Sequence, residues 1–373
     1  MKGRNEAAKD YWSQIFRRAA ESPTATIARP ENQTEEERIE RLTRGLQEAG
    51  WSPEQIKMRL DIDQQLQPLP NPNSPGVGPG LERYLKIIAS HIAEVLSSEG
   101  NTAQENVELA IDPVAGVSAS TTNVIMTNES IVSVSSFLFR WCGLIARAYT
   151  RTLQINPYYW DGNERHDDDF IFLLKQKDVC LYWIRIFMSF AGTGTNMIVP
   201  FKPSKHHEWL LMEQVAWSME YFTVAHEYGH HVLNHRSIDA DPIEQEFEAD
   251  RFSLRICEKL RWKPIASEEN PYLVTGAGAI LMLRSISILK SMETGNNSRL
   301  RIITHPEIEE RIRKIMYRHC LDPMQLKMDN SFNNAVLRIM NAVSTLVEGC
   351  VKNGGDGFVR KMKAMFGGDS TYD

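Results

Sequence analysis

The stretch HEYGHHVLNH, running from His226 to His235, decides how the rest of the chain is read. His226 and His230 stand four residues apart, and on a helix that spacing stacks both side chains on one face so that their ring nitrogens converge. Glu227 projects beside them, positioned as a general base toward a water molecule. The preceding residues, Glu213 to Ala225, include Met219, Phe222, Val224 and Ala225 and contain neither Gly nor Pro, which predicts a buried helix carrying the motif. Two imidazoles and a carboxylate in this arrangement are what a zinc-dependent hydrolase needs.

Such a site takes three protein ligands and leaves one position open, so a third ligand must follow. A metzincin would place a histidine six residues after His230, but Arg236 stands there. The alternative is a glutamate on a following helix, and DADPIEQEFEADRFSLRICEKL supplies it. Asp241 suits the cap and Pro242 the first turn. Glu246 and Asp250 then share one face, with the small Ala249 between them permitting close approach to the motif helix. Glu246 is the expected third ligand. Asp250 is expected behind it, accepting from the free ring nitrogen of a liganding histidine and so fixing its tautomer. Glu248 should face elsewhere, and His231 and His235 lack ligand spacing to a complete set, which favours structural or capping roles.

Two segments of this pattern, and a third downstream, resemble the gluzincin peptidases that include the CAAX prenyl proteases, the HtpX-like heat-shock proteases and the mitochondrial Oma-type proteases. HEYGHHVLNH is similar to the H-E-x-G-H-x-x-x-N-H form common there, and Glu246-Phe247-Glu248-Ala249-Asp250 matches E-x-x-A-D. The third segment is THPEIEERIRKI from Thr304. The resemblance implies that His305 and Arg311 lie near the zinc and hold substrate or the developing oxyanion, His305 being the better candidate, with Tyr228 as a further one. It also implies an edge strand that binds substrate backbone by strand addition, and Asn123 to Thr127 is the candidate. Read without the resemblance, the third segment is a well-capped surface helix, with Glu307, Glu309 and Glu310 at its positive end and Arg311, Arg313 and Lys314 following.

The chain departs from the CAAX and HtpX pattern in one large respect, because no stretch of roughly 18 uncharged apolar residues exists. Ile131 to Ala148 contains Arg140 and Arg147, and Tyr272 to Leu289 contains Arg284, so both read as buried helices. This favours a soluble member, nearer the phage-exclusion Lit-type peptidases that share the H-E-x-x-H core. The 373 residues are 42% hydrophobic and 24% charged, enough for a large core, and the net charge of −6 argues against a nucleic-acid surface. The opening MKGRNEAAKDYWSQ lacks an apolar stretch, so a cytoplasmic location is expected. Five scattered cysteines without C-x-x-C spacing predict reduced thiols.

Punctuation suggests the organisation. Residues 1–66 read as a helical N-terminal unit, with a charged helical stretch from Gln33 to Leu60 broken at Gly50-Trp51-Ser52-Pro53. Residues 67–80 form a linker holding five prolines and three glycines. Residues 81–350 are the expected zincin-like metallopeptidase domain, mainly helical with a small β-sheet, an α+β fold. It opens with a helix over Leu81 to Leu96 and has its strands between Val107 and Val134, the clearest being NVIMT from Asn123 and SIVSV from Ser130. Residues 151–209 look like an insertion containing DGNERHDDDF, where His166 to Asp169 read as a solvated loop or a cation site. Residues 351–373 read as a tail.

The expected activity is therefore zinc-dependent endopeptidase action on a protein substrate. Regulation or latency in a stress response or antiphage defence, with the N-terminal unit contacting a regulatory protein, is one elaboration. A zinc-binding sensor or interaction protein with little turnover is the alternative class, against which the intact Glu227 stands.

Overall fold

The computed structural model describes residues 6–21, 35–65, 79–102, 106–112, 116–124, 126–161, 169–194, 199, 206–235, 241–261, 269–294, 308–317 and 323–352. In chain order the elements are α1 (Glu6–Glu21), α2 (Glu35–Glu48), α3 (Pro53–Gln65), α4 (Pro79–Ser98), β1 (Val107–Asp112), β2 (Ala119–Asn123), β3 (Ser130–Ser135) and α5 (Ser136–Ile155). They continue with α6 (Pro157–Asp161), α7 (Asp169–Leu174), α8 (Lys177–Thr193), α9 (His206–Val232), α10 (Pro242–Lys259), α11 (Pro271–Val274), α12 (Ala277–Thr294), α13 (Ile308–Met316) and α14 (Pro323–Lys352). This is a mainly helical α+β fold with one small mixed sheet.

The motif helix α9 is the axis of the molecule. Val215, Ala216, Met219, Tyr221, Phe222, Val224, Ala225 and Tyr228 bury apolar surface on all its sides, as a helix enclosed by others must. Helices α10, α5, α12 and α4 and the sheet surround it. Two close approaches depend on glycine. A Cβ on Gly229 would stand 3.2 Å from the Ala249 Cα and 3.1 Å from a Phe252 ring carbon, so Gly229 and Ala249 together let α9 and α10 touch. A Cβ on Gly278 would overlap Ser218, so α12 also packs closely on α9, about three turns before the Gly229 contact. Helix α10 begins where the composition predicts, with Asp241 accepting from the Ile243 N–H at 2.9 Å and Pro242 in the first turn. The apolar run from Tyr272 to Leu289 is two helices, because Gly276 (φ 75°) breaks it between α11 and α12.

The sheet order is β1-β3-β2, with β1 parallel and β2 antiparallel to β3. Strand β3 lies where SIVSV predicts it. The edge strand does not run over Asn123 to Thr127. It is β2, four residues earlier, and pairs Thr121 with Val132 and Asn123 with Ser130. The reason is local: the Thr127 hydroxyl donates to the Val124 carbonyl at 3.0 Å and accepts from the Glu129 N–H at 3.0 Å. Val124 in turn receives the Thr127 N–H at 3.2 Å, and Met126 takes a positive φ of 63°. A threonine bonding within its own turn competes with the ladder, so the chain reverses between Val124 and Glu129.

Helix α1 packs Ala8 and Trp12 against Ala110, Val124 and Ile131 on one face of the sheet, and the Ala8 N–H donates to Glu129 at 2.8 Å. Leu46, Trp51 and Ile56, from α2, α3 and the turn between them, join the main core. Trp51 meets Trp209 of α9 edge-on, with ring centroids 5.2 Å apart. Within the 151–209 stretch, Asp169 accepts from Arg338 of α14 at 2.7 and 3.0 Å, while His166 to Asp168 lie outside the described residues. The four described cysteines, Cys142, Cys180, Cys257 and Cys350, are buried thiols with no disulfide among them. Among the described residues, no helix is long and apolar enough to cross a membrane.

Candidate metal centre

The touching of α9 and α10 brings His226, His230 and Glu246 together. The Nε2 atoms of the two imidazoles lie 3.1 Å apart with their rings nearly perpendicular, so both point at one place. The Glu246 carboxylate closes the triangle, one oxygen 3.3 Å from His226 Nε2 and the other 3.5 Å from His230 Nε2. Donors about 2.0–2.2 Å from a tetrahedral zinc stand roughly 3.3–3.6 Å from each other, so the spacing and the two-nitrogen, one-carboxylate chemistry fit such an ion.

The charge balance points the same way. Among the described residues, Glu227, Glu246 and Asp250 are all buried beside one buried guanidinium, Arg311. With both imidazoles neutral, as metal ligands must be, three carboxylates against one guanidinium leave a formal excess of two negative charges, which a divalent cation balances. Burial alone would depress the His226 imidazole, yet its hydrogen bonds to Asp250 and Glu246 outweigh burial and lift it to about 9. A field that holds a proton on a buried imidazole attracts a metal ion for the same reason.

Each histidine has a partner on its other ring nitrogen. His226 Nδ1 faces Asp250 at 3.0 Å. Asp250 in turn takes two bonds from Arg311, Nη2 at 2.6 Å and Nε at 2.7 Å, while Arg311 Nη1 stands 3.1 Å from Glu246. Burial would raise the Asp250 carboxyl, but His226 and Arg311 outweigh it and hold it below its ordinary range. His230 Nδ1 faces His235 Nδ1 at 2.9 Å, and His235 Nε2 faces Glu248 at 3.0 Å. Glu248, expected to turn away from the motif helix, thus reaches His235 just beyond its end. Burial, the largest influence on His235, lowers its pKa against the pull of Glu248 and keeps the ring neutral.

The face of α9 next to His226 and His230 is pegged to the sheet. The Thr121 hydroxyl on β2 lies 2.7 Å from the Glu227 main-chain carbonyl and 2.9 Å from its carboxylate, and donates to either. One turn on, His231 Nδ1 lies 2.7 Å from the Ser130 hydroxyl, which donates to Asn123 at 2.8 Å. Thr121 carries no sequence pattern that marks it; only the sheet register puts it on Glu227.

Thr121, Asn123, His226, Glu227, His230 and Glu246 line a cleft of about 540 Å³. Its floor is α9, with Phe222, His226, Glu227 and His230. The edge strand β2 forms one wall, Met282, Leu283 and Ile286 of α12 another, and Arg311 stands near Glu246. Among the described residues, none from α1, α2 or α3 lines it. Tyr228 is buried away from the cleft lining. His305 lies outside the described residues.

No curated protein and no solved structure gives a match to this chain. Residues 177–330, which include His226, Glu227, His230, Glu246, Asp250 and Arg311, match the family model described as Peptidase U49, and that match supports protease activity for the chain.

Proposed function

We propose that the chain is a zinc-dependent endopeptidase of the gluzincin kind, with His226, His230 and Glu246 as metal ligands and Glu227 as general base. The observation that carries this reading is the convergence of two imidazole nitrogens and a carboxylate within 3.1–3.5 Å of one another on the floor of a cleft, with a second carboxylate beside them.

His226, His230 and Glu246 would hold a zinc ion, which would supply Lewis acidity toward water and the scissile carbonyl. Glu227 would take a proton from the attacking water and deliver it to the leaving amine. Arg311 donates to Asp250 and stands beside Glu246, so it positions ligands, and the gluzincin resemblance implies His305 for the oxyanion role. Among the described residues β2 is an edge strand, and it lines the cleft, which suits a substrate segment added as a further strand, its backbone held by main-chain hydrogen bonds. Leu138, Phe222, Met282, Leu283 and Ile286 give the cleft apolar walls for substrate side chains. Four buried thiols with no disulfide among them suit a reducing compartment such as the cytoplasm.

The test is metal content of the wild type beside His230→Ala and Glu246→Ala, followed by peptide-library digestion with wild type and Glu227→Gln. One zinc per chain should be lost in both ligand variants. Glu227→Gln should keep its zinc and lose about 10²–10⁴-fold in turnover. A folded wild type that cannot be loaded with zinc overturns the reading, and loss of zinc in Glu227→Gln contradicts its role as base.

A further inference from the structure

We infer that His235 and Glu248 form a hydrogen-bond chain that runs outward from His230 and fixes its tautomer and aim, so that a surface carboxylate tunes how tightly the site holds its metal. The inference rests on the zinc reading above and adds two positioning residues to it.

The chain exists because of how α9 ends. The His235 N–H returns to the His230 carbonyl at 3.0 Å and the Asn234 N–H to the His231 carbonyl at 3.0 Å, the paired bonds of a Schellman turn. That turn needs a left-handed residue at its centre, and Asn234 occupies it with φ 56°. Asparagine is one of the few residues with a Cβ that adopts this conformation at low cost. Asn234 thus folds His235 back along the helix end, side chain to side chain with His230.

The proton count then fixes every partner. For His230 to present a bare Nε2 to the cleft, its proton sits on Nδ1. Only one proton fits between two ring nitrogens 2.9 Å apart, so His235 Nδ1 is bare and accepts. The His235 proton therefore sits on Nε2 and is donated to Glu248, 3.0 Å away. The His235 side chain is 6% exposed and that of Glu248 is 45% exposed, so the chain leads from the buried site to solvent. His226 is oriented differently, by a buried carboxylate locked to Arg311.

Zinc affinity of the full chain, measured by competition with a chelator, tests this directly. His235→Phe keeps the ring shape and removes both nitrogens, and should weaken zinc about 10–100-fold, the effect typical of removing a ligand's hydrogen-bond partner. Glu248→Gln lies at the surface, leaves the fold intact, and should weaken zinc by less in the same direction. Long-range proton–nitrogen correlation spectra of the zinc-loaded wild type should show His230 protonated at Nδ1 and His235 at Nε2, a signature that a merely structural role would not require. Affinities within about twofold of wild type in both variants, or His235 protonated at Nδ1, overturn the inference. A folded wild type that takes no zinc overturns both the inference and the zinc reading. Zinc bound with the expected losses, but no peptide cleaved, supports the inference and sinks the endopeptidase reading alone.

Discussion

Replacing Arg311 with methionine tests whether the cluster is held by one buried cation. The guanidinium makes bonds of 2.6 and 2.7 Å to Asp250 and stands 3.1 Å from Glu246, and none of the three side chains is more than 10% exposed. Burial would weaken the charge on Arg311, but Asp250 outweighs it and raises its pKa, so the guanidinium stays charged. Removing one partner of such a buried pair costs about 3–5 kcal/mol, because the carboxylate left behind has no cation and little water. In the metal-free protein this should lower the melting temperature by roughly 4–6 °C. Zinc-loaded protein should lose less, since Glu246 then faces a second cation. Arg311→Lys should recover only part, because an ammonium cannot span both Asp250 oxygens as the planar fork does. If the orphaned carboxylate is the cause, the double variant Arg311→Met with Asp250→Asn should be more stable than Arg311→Met alone. Thermal unfolding of the four proteins with chelator and with zinc is the assay. A single variant melting within about 2 °C of wild type, or a double variant no better than the single, refutes the argument.

Two further perturbations probe how the helices hold the site. Gly229→Val places a branched side chain where even a Cβ would meet Ala249 and Phe252 at 3.1–3.4 Å, so α9 and α10 must separate. It should cost about 1–3 kcal/mol and weaken zinc, because the two histidines and Glu246 sit on opposite sides of that contact. Unchanged zinc affinity would show that the contact does not set the ligand triangle. Glu220, buried on α9 with Tyr84 at 2.5 Å, is pushed well above the ordinary carboxyl range by burial, which the Tyr84 bond only partly opposes and Glu213 reinforces. Above about pH 4.5 the unfolded chain has shed this proton while the folded chain keeps it, so stability falls as pH rises toward the folded value. Glu220→Gln removes that slope, and its melting temperature should gain on wild type between pH 5 and pH 8. Parallel melting curves across that range would rule Glu220 out as the cause.

The helical parts of this molecule could be read from short-range patterns. Apolar residues recurring along Leu81 to Leu96 mark α4, and Asp241-Pro242 marks the start of α10, because periodicity and capping are properties of a few neighbouring residues. The same holds for His226, Glu227 and His230, whose convergence is built into the pitch of one helix. Glu246 was also within reach, since E-x-x-A-D begins at the fifth residue of the next helix, which Asp241-Pro242 marks. The strands were harder. Serine, threonine and valine from Val107 onward suggest a sheet, but the choice between Ala119–Asn123 and Asn123–Thr127 depended on the bonds that Thr127 makes within its turn.

What lay beyond the chain's local grammar is the set of contacts between residues far apart in it. Thr121 reaches Glu227 across 106 positions and Arg311 reaches Asp250 across 61, and neither pairing leaves a trace in local spacing. Arg311 shows the consequence: its sequence context directs attention to the reacting atoms, whereas the packing of α13 against α10 turns its guanidinium onto two carboxylates. His235 is the intermediate case. Asn234 before it is a recognisable helix stop, but whether the returning imidazole meets His230 or solvent depends on the geometry of the turn and on α10 bringing Glu248 to its far side. A helix motif is encoded by residues three and four apart. The outer partners that orient it come from other elements, and only the packing of α9 against α10, α13 and the sheet brings them within hydrogen-bond reach.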